Sequence, residues 1–267
     1  MKTIIVCNKT NKPGAQAALN IIQTYFLSKN YQVFTALNQA TLKNKPSYVI
    51  VLGGDGAMLR VANKLTKTNI PLIGVNFGHK GYSCQISPTK LLEGLKKIEQ
   101  NQFFIQSYTR IKAKVIHQNK IKKTIDALNE ILVGGINRTV WLNLKVKHDK
   151  QIKDSIVVGD GLIFATQMGS TAYNLNAGGP ILLNDAFSVV TSNGLFESDY
   201  FLPNTKAFVT SIDTIFEIKS LRNGKFLPYV VADGQRDYRL DNGDKVIITK
   251  SSLTTRLIKL KNYENSH

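Results

Sequence analysis

Cysteine, tryptophan and proline are scarce in this chain of 267 residues, which holds two, one and seven of them. Two cysteines, Cys7 and Cys84, supply neither a disulfide framework nor a thiolate metal cluster, so both read as reduced structural thiols. No stretch reaches the ~18 uninterrupted apolar residues of a membrane span. Residues 1–8 offer only a short apolar run before polar residues resume, too little for the apolar core of a signal peptide. These absences predict a soluble, cytoplasmic protein with no membrane partner. Acidic residues are also few, 18 against 35 Lys and Arg, which leaves a net charge of +17. Such an excess draws polyanions of every kind. The densest basic stretch, between Arg110 and Lys153, sets Arg110, Lys112 and Lys114 on one face of a strand-like segment and reads as a solvated sheet face. No module with basic and aromatic residues in a set pattern is present, so no nucleic-acid partner is expected. His79, His117, His148 and His267 stand in loop, basic or terminal segments and read as solvated.

What the chain does have is regular patterning. Residues 2–7, 31–37, 48–52 and 70–75 read as apolar strands, while 16–27, 57–65 and a stretch from Pro88 to about residue 100 read as amphipathic helices. Strands alternating with helices are the habit of a mostly parallel sheet with crossover helices. From residue 103 the apolar period changes to two, over 108–117, 121–133, 140–147, 157–165, 207–219, 229–232 and 245–258. The expectation is an α/β N-terminal domain with a mostly parallel sheet over residues 1–102. An all-β, β-sandwich-like domain follows over residues 103–267, with the last residues packing back on the first.

The sharpest local signal is Gly53-Gly54-Asp55-Gly56, between an apolar strand and a helix. Glycines there let the backbone approach a ligand, and the helix start offers unpaired N–H groups to phosphate. A carboxylate in such a cradle is repelled by phosphate unless a metal or a transferable proton lies between, which suits a catalytic base. On the tetrapeptide alone, a tight turn with Asp55 as a helix cap explains the pattern equally well. Two familiar phosphate loops are excluded: Leu59 stands where a dinucleotide fingerprint needs its third glycine, and no Gly-x-x-x-x-Gly-Lys-Ser/Thr occurs. A second glycine-rich stretch runs from Gly159-Asp160-Gly161 through Gly169-Ser170-Thr171-Ala172-Tyr173-Asn174-Leu175-Asn176 to Ala177-Gly178-Gly179-Pro180. Small hydroxyl residues around a tyrosine provide hydrogen-bond donors and a stacking face.

Together with Asn129-Glu130 and Asp233-Gly234-Gln235, these motifs resemble the NAD kinase family over most of the chain. The resemblance implies a phosphotransferase that moves the γ-phosphoryl group of ATP, another triphosphate or polyphosphate to the 2′-hydroxyl of NAD. It implies Asp55 as the general base, Gly53 and Gly54 as the phosphate loop, and substrate contacts from Gly56 and Arg60. Asn129 and Glu130 would hold ribose and adenine. Asp160, Thr171, Ala172, Tyr173, Asn174, Leu175 and Asn176 would hold the nicotinamide half and a second adenine surface, and Gln235 would complete the pocket. Mg²⁺ would arrive with the donor, no protein-held metal is expected, and the chain would form a homodimer or homotetramer. A lipid kinase shares the Gly-Gly-Asp-Gly loop but should lack the Gly-Ser-Thr-Ala-Tyr stretch. A non-catalytic nucleotide sensor is the rival from another class.

Overall fold

A computed structural model describes residues 2–79, 81–135, 139–197, 205–221 and 227–263. The chain divides into two compact units, residues 1–107 with 255–267, and residues 108–254.

In the first unit, β1 (Thr3–Asn8), α1 (Ala15–Leu27), β2 (Gln32–Phe34), α2 (Gln39–Leu42), β3 (Tyr48–Gly53), α3 (Asp55–Lys64), β4 (Leu72–Asn76) and α4 (Leu91–Glu99) follow in turn. β3 is buried along its whole length, and β1 and β4 are buried except at their last residues. Continuous apolar runs of this kind belong to parallel strands covered on both faces. The order is β2-β1-β3-β4, all parallel, and the end of the last strand of the chain lies parallel to β4 through Leu257 and Leu72. α1 buries Ala15, Ala18, Leu19, Ile22 and Phe26. Pro88 opens a 3₁₀ turn at Pro88–Lys90 that leads into α4, where a ring without an N–H costs nothing. Parallel pairing also brings Gly53, at the end of β3, opposite Asn76, at the end of β4. The loops that leave those two strands are therefore neighbours at the carboxyl edge of the sheet, where open α/β sheets bind ligands.

From β5 (Phe103–His117) onward strand follows strand: β6 (Lys120–Ala127), β7 (Glu130–Gly134), β8 (Val140–His148), β9 (Gln151–Gly159), β10 (Gly161–Ala165), then α5 (Tyr173–Asn176). β11 (Ala186–Ser192), β12 (Leu195–Glu197), β13 (Ala207–Ser211), β14 (Ile215–Ser220), β15 (Tyr229–Ala232), β16 (Arg236–Arg239) and β17 (Lys245–Leu260) complete the chain. In the second unit one sheet runs β12-β9-β8-β14-β17 with β5 and β6 beyond, and the other runs β13-β11-β10-β7-β15-β16. Their inner faces share one core, in which Phe216 lies 4.9 Å from Phe164 and 5.9 Å from Phe187 between ring centroids. The α/β unit with a parallel sheet and the strand-rich sandwich are the fold class expected from the pattern.

Several boundaries differ from the sequence reading. Residues 31–37 give only a three-residue strand. The stretch 121–133 is two strands, because the backbone N–H groups of Leu128 and Asn129 turn to the Asp233 carboxylate instead of a ladder. The stretch 157–165 breaks at Asp160, before Gly161 at φ 154°. The short helix Gln39–Leu42 and the strands β11, β12 and β16 carried too few patterned residues to be read. Arg110 is fully buried, not solvated, so the three basic residues of β5 do not form one wet face. His117 is likewise not simply solvated, since its Nδ1 lies 2.8 Å from the buried carboxylate of Asp244. His267 lies outside the described residues.

Replacing Phe216 with alanine removes the ring that joins the two faces of the sandwich core. A loss of about 3–5 kcal/mol is expected, read as a lower midpoint of urea unfolding at unchanged slope.

Candidate active site

Two groups of residues bear the chemistry, one in each unit. In the first, β3 ends at Gly53, whose φ of 155° turns the chain into α3. A Cβ on Gly53 would lie 2.5 Å from the Ala57 methyl carbon, and one on Gly54 would lie 3.0 Å from Gly78 Cα. Only glycine allows this approach of two loop backbones. Phe77 N–H donates to the Gly53 carbonyl at 3.0 Å and fixes the pair. Asp55 opens α3 and is half-buried. Its Oδ1 accepts from Ser83 N at 2.7 Å and Ser83 Oγ at 2.6 Å, whereas among the described residues its Oδ2 accepts only from Tyr82 N at 3.2 Å. Asp55 is thus tied down across 28 residues, with one oxygen lightly bonded. It is more than a helix cap, because α3 has no side-chain cap bond at all. Gly56 and Arg60, one turn further on, are exposed beside it, and the Arg60 guanidinium would stand 3.7 Å from a Cβ on Gly56.

In the second unit, Asn129 and Glu130 lead into β7 beside β10, and Ala165 of β10 pairs with Glu130. Asp233, in the left-handed region at φ 54°, gathers this end. Its carboxylate accepts from the backbone N–H of Leu128 at 3.0 Å, Asn129 at 2.7 Å and Glu130 at 3.3 Å, and its own N–H donates to the Glu130 carbonyl. Thr166 closes the other side, its hydroxyl donating to the Leu128 carbonyl at 2.6 Å and its N–H to that of Asn129 at 2.9 Å. Gly169 packs so closely that a Cβ there would stand 2.0 Å from the Asn129 carbonyl oxygen. Glu130 is buried, and its Oε2 has no hydrogen-bond partner. Burial first, and then the nearby Asp233 charge, push its carboxyl up to about 8. A buried acceptor left in that state is costly and invites a donor.

Asp160 sits at the far end of β10, about 17 Å from Ala165 by the rise of an extended strand. It accepts from Asn193 Nδ2 at 2.6 Å, and its N–H donates to the Ser192 carbonyl. The Tyr173 hydroxyl lies 3.4 Å from Ser192 Oγ, so its exposed ring stands toward the Asp160 end. Thr171 and Ala172 are half-buried; Leu175, Asn176 and Gln235 are exposed. Gln235 shares the Asp233 turn, its N–H donating to the Ala232 carbonyl. Asn174 departs from the substrate-facing expectation. It is fully buried, its amide donates to the Ser170 and Pro180 carbonyls, and its carbonyl accepts from Ser188 Oγ. It fastens the turn that displays Tyr173. Sequence reasoning gave no role to Ser83, Thr166 or Asp233, although Asp233 stood in the Asp233-Gly234-Gln235 motif of the resemblance.

The comparisons decide the family. Residues 4–103 match the model of the ATP-NAD kinase N-terminal domain, and residues 128–260 that of the C-terminal domain. The chain belongs to the NAD kinase family. The NAD kinase of Caldanaerobacter subterraneus subsp. tengcongensis is 31% identical over 221 residues, covering 82% of this chain and 75% of that one. The NAD kinase of Colwellia psychrerythraea is 30% identical over 280 residues, covering 98% and 93%. A solved NAD kinase from Archaeoglobus fulgidus in complex with ATP matches with a TM-score of 0.73 at 25% identity, over 97% of this chain and 94% of that one. Yeast NADH kinase complexed with NADH shares the fold, with a TM-score of 0.80 at 17% identity. This chain is a phosphotransferase that phosphorylates NAD, and the lipid-kinase and sensor readings are not favoured.

The Glu130 carboxyl gives a pH-dependent test of the second group. Its native form keeps a proton up to about pH 8, while the unfolded chain releases it near the ordinary carboxyl value of 4.5. Native protein therefore binds more protons between those values, and stability falls as pH rises through that window. Glu130→Gln removes the fall. Without nucleotide, the variant should melt close to wild type at pH 5 and several degrees higher at pH 8.5. Melting curves that keep the same spacing at both pH values would show that the carboxyl is not held protonated.

Proposed function

We propose that Asp55 is the general base of NAD phosphorylation in this chain and that Glu130 seats the NAD ribose. The Asp55 arrangement supports this most directly. Its carboxylate is fixed at the start of α3, yet among the described residues Oδ2 has a single, long hydrogen bond and keeps a lone pair for a substrate proton. The 2′-hydroxyl oxygen attacks the γ-phosphorus, its proton passes to Oδ2, and the bond from the γ-phosphorus to the β-bridging oxygen breaks to release the nucleoside diphosphate. The N–H groups at the start of α3 and the nearby Arg60 stand where they can take up phosphate charge. ATP is the donor we favour, with another triphosphate or polyphosphate meeting the same chemistry.

Among the described residues no group of three or more His, Cys, Asp or Glu gathers to hold a metal. We propose that Mg²⁺ arrives on the phosphates, where it would need only one or two protein carboxylates beside water and phosphate oxygens. Bound in that way, it would neutralise charge that develops on the transferring group.

A ribose diol can donate to Glu130 Oε2, relieving the unpartnered oxygen and favouring the ionised form. The length of β10 lets Asn129 and Glu130 take one half of a dinucleotide while Asp160 and Tyr173 take the other. Thr171, Ala172, Leu175, Asn176 and Gln235 line the turns between or beside them.

Cytoplasmic residence accords with two buried cysteines in no disulfide, and no described helix is long and apolar enough to cross a membrane. Self-association as a dimer or tetramer is the assembly we propose. On the outward face of one sheet of the second unit, Leu195, Val158, Trp141 and Leu221 lie side by side across four successive chain segments. Beside this row stand opposite charges, with Lys145 3.2 Å from Asp154 and Lys147 3.1 Å from Glu217. Apolar and mixed-charge rows together suit a self-complementary two-fold contact.

Purified protein with NAD, ATP and Mg²⁺ should form NADP, and Asp55→Asn should cut the turnover by ~10²-fold or more while NAD binding stays near wild type. An Asp55→Asn enzyme of normal turnover would rule out the base. Trp141→Glu should shift sedimentation toward a smaller species, and an unchanged profile would place the contact elsewhere.

A further inference from the structure

From the geometry around Asp55 we infer that Ser83 is a positioning residue for the reaction: its hydroxyl and backbone N–H occupy Asp55 Oδ1 together and leave Oδ2 as the proton acceptor. This inference rests on the reading of Asp55 as the base. Ser83 Oγ donates to Oδ1 at 2.6 Å and Ser83 N at 2.7 Å, while among the described residues Oδ2 has only Tyr82 N at 3.2 Å. A carboxylate oxygen has two in-plane lone pairs, so Oδ1 is filled and Oδ2 half free. The carboxylate cannot rotate to exchange its oxygens without breaking both short bonds.

The turn that carries Ser83 is built to hold this position. Gly78 N–H donates to Asn76 Oδ1 at 2.9 Å, and a Cβ on Gly81 would lie 2.2 Å from the same amide. Gly81, at φ 69°, lets the chain fold over that side chain. Past Ser83, Cys84 N–H donates to the Gly81 carbonyl, and Gln85 and Ile86 N–H donate to the Gly74 carbonyl, each at 3.0 Å. The turn is thus closed at both ends on β4, and Ser83 itself is only 8% exposed. Among the described residues, the ionisable side chains on the elements around Asp55 include Arg60 and Lys64 on α3, His79 and Cys84 in the same turn, and Lys259 on β17. Burial pushes the Cys84 thiol up to about 12, and the neighbouring Asp55 charge adds to that. Burial also lowers the Lys259 ammonium from its ordinary value. The hydrogen bonds to the Asp55 carboxylate come from Tyr82 and Ser83 and from none of these groups.

The experiment is the measurement of kcat and of KM for NAD in wild type, Ser83→Ala, Ser83→Thr and Asp55→Asn, with melting temperatures measured alongside. Ser83→Ala should lose roughly tenfold in kcat with little change in KM for NAD, since one charge-assisted bond to the carboxylate is lost. Ser83→Thr should restore kcat. Ser83→Ala with wild-type kcat overturns the inference. So does a loss of kcat that comes with an equal rise in KM, or one that threonine fails to rescue, since either result marks Ser83 as merely structural. Asp55→Asn separates the two ideas: if it stays active, the base assignment falls first; if it is dead while Ser83→Ala behaves as wild type, only the positioning role falls.

Discussion

A backbone N–H that leaves a strand inside a protein still has to find an acceptor, and in both units the acceptor at the functional end is a carboxylate. Asp55 takes the N–H groups of Tyr82 and Ser83, beyond the end of β4. Asp233 takes those of Leu128, Asn129 and Glu130, where β6 gives way to β7. Each contact pins a loop to a segment distant in sequence, by 27 and 28 residues in one case and 103 to 105 in the other. The glycines then follow as a consequence. Chains pinned this closely leave no room for a Cβ at Gly54 or Gly169, whose neighbours would stand at 3.0 and 2.0 Å.

The same device produces opposite chemistry in the two places, and the difference lies in what remains unpaired. Asp55 is half-buried and already satisfied on one oxygen, so its second oxygen is available. Glu130 is buried without a partner on Oε2, and Asp233 nearby adds a like charge. It therefore tends to stay neutral until a donor arrives. One carboxylate is arranged to take a proton, and the other to take a hydroxyl.

Much of this was legible in the chain, though unevenly. The Gly53–Gly56 loop and the strand and helix around it could be read because turn chemistry is local: an apolar run stops, glycines follow, and an amphipathic helix starts. The change of period near residue 103 marked the strand-rich part for the same reason. Long-range bonds left no such trace. Residues 121–133 read as one strand-like stretch, and it is the carboxylate of Asp233, a hundred positions away, that divides them. Arg110 fits the same surface period as Lys112 and Lys114, yet it is fully enclosed. Asn174 stands in the stretch that the resemblance assigns to the substrate, and its place inside the turn depends on Ser170, Pro180 and Ser188 closing around it.

Ser83 lies at the limit of that kind of reading. Nothing in a Tyr-Ser-Cys run announces a functional serine, and by pattern it is one more polar residue in a loop. Its meaning comes from register. Because β3 and β4 are parallel, with Gly53 opposite Asn76, the chain leaving β4 must pass over the start of α3. Closing that chain back on the Gly74 carbonyl fixes which residue faces the carboxylate. A shift of one position would present the Tyr82 or Cys84 side chain there in place of a hydroxyl donor. Neither supplies the same short bond: tyrosine would carry its oxygen past the carboxylate, and a thiol is a weak donor. The identity of the proton-accepting oxygen is thus set by strand pairing several residues away.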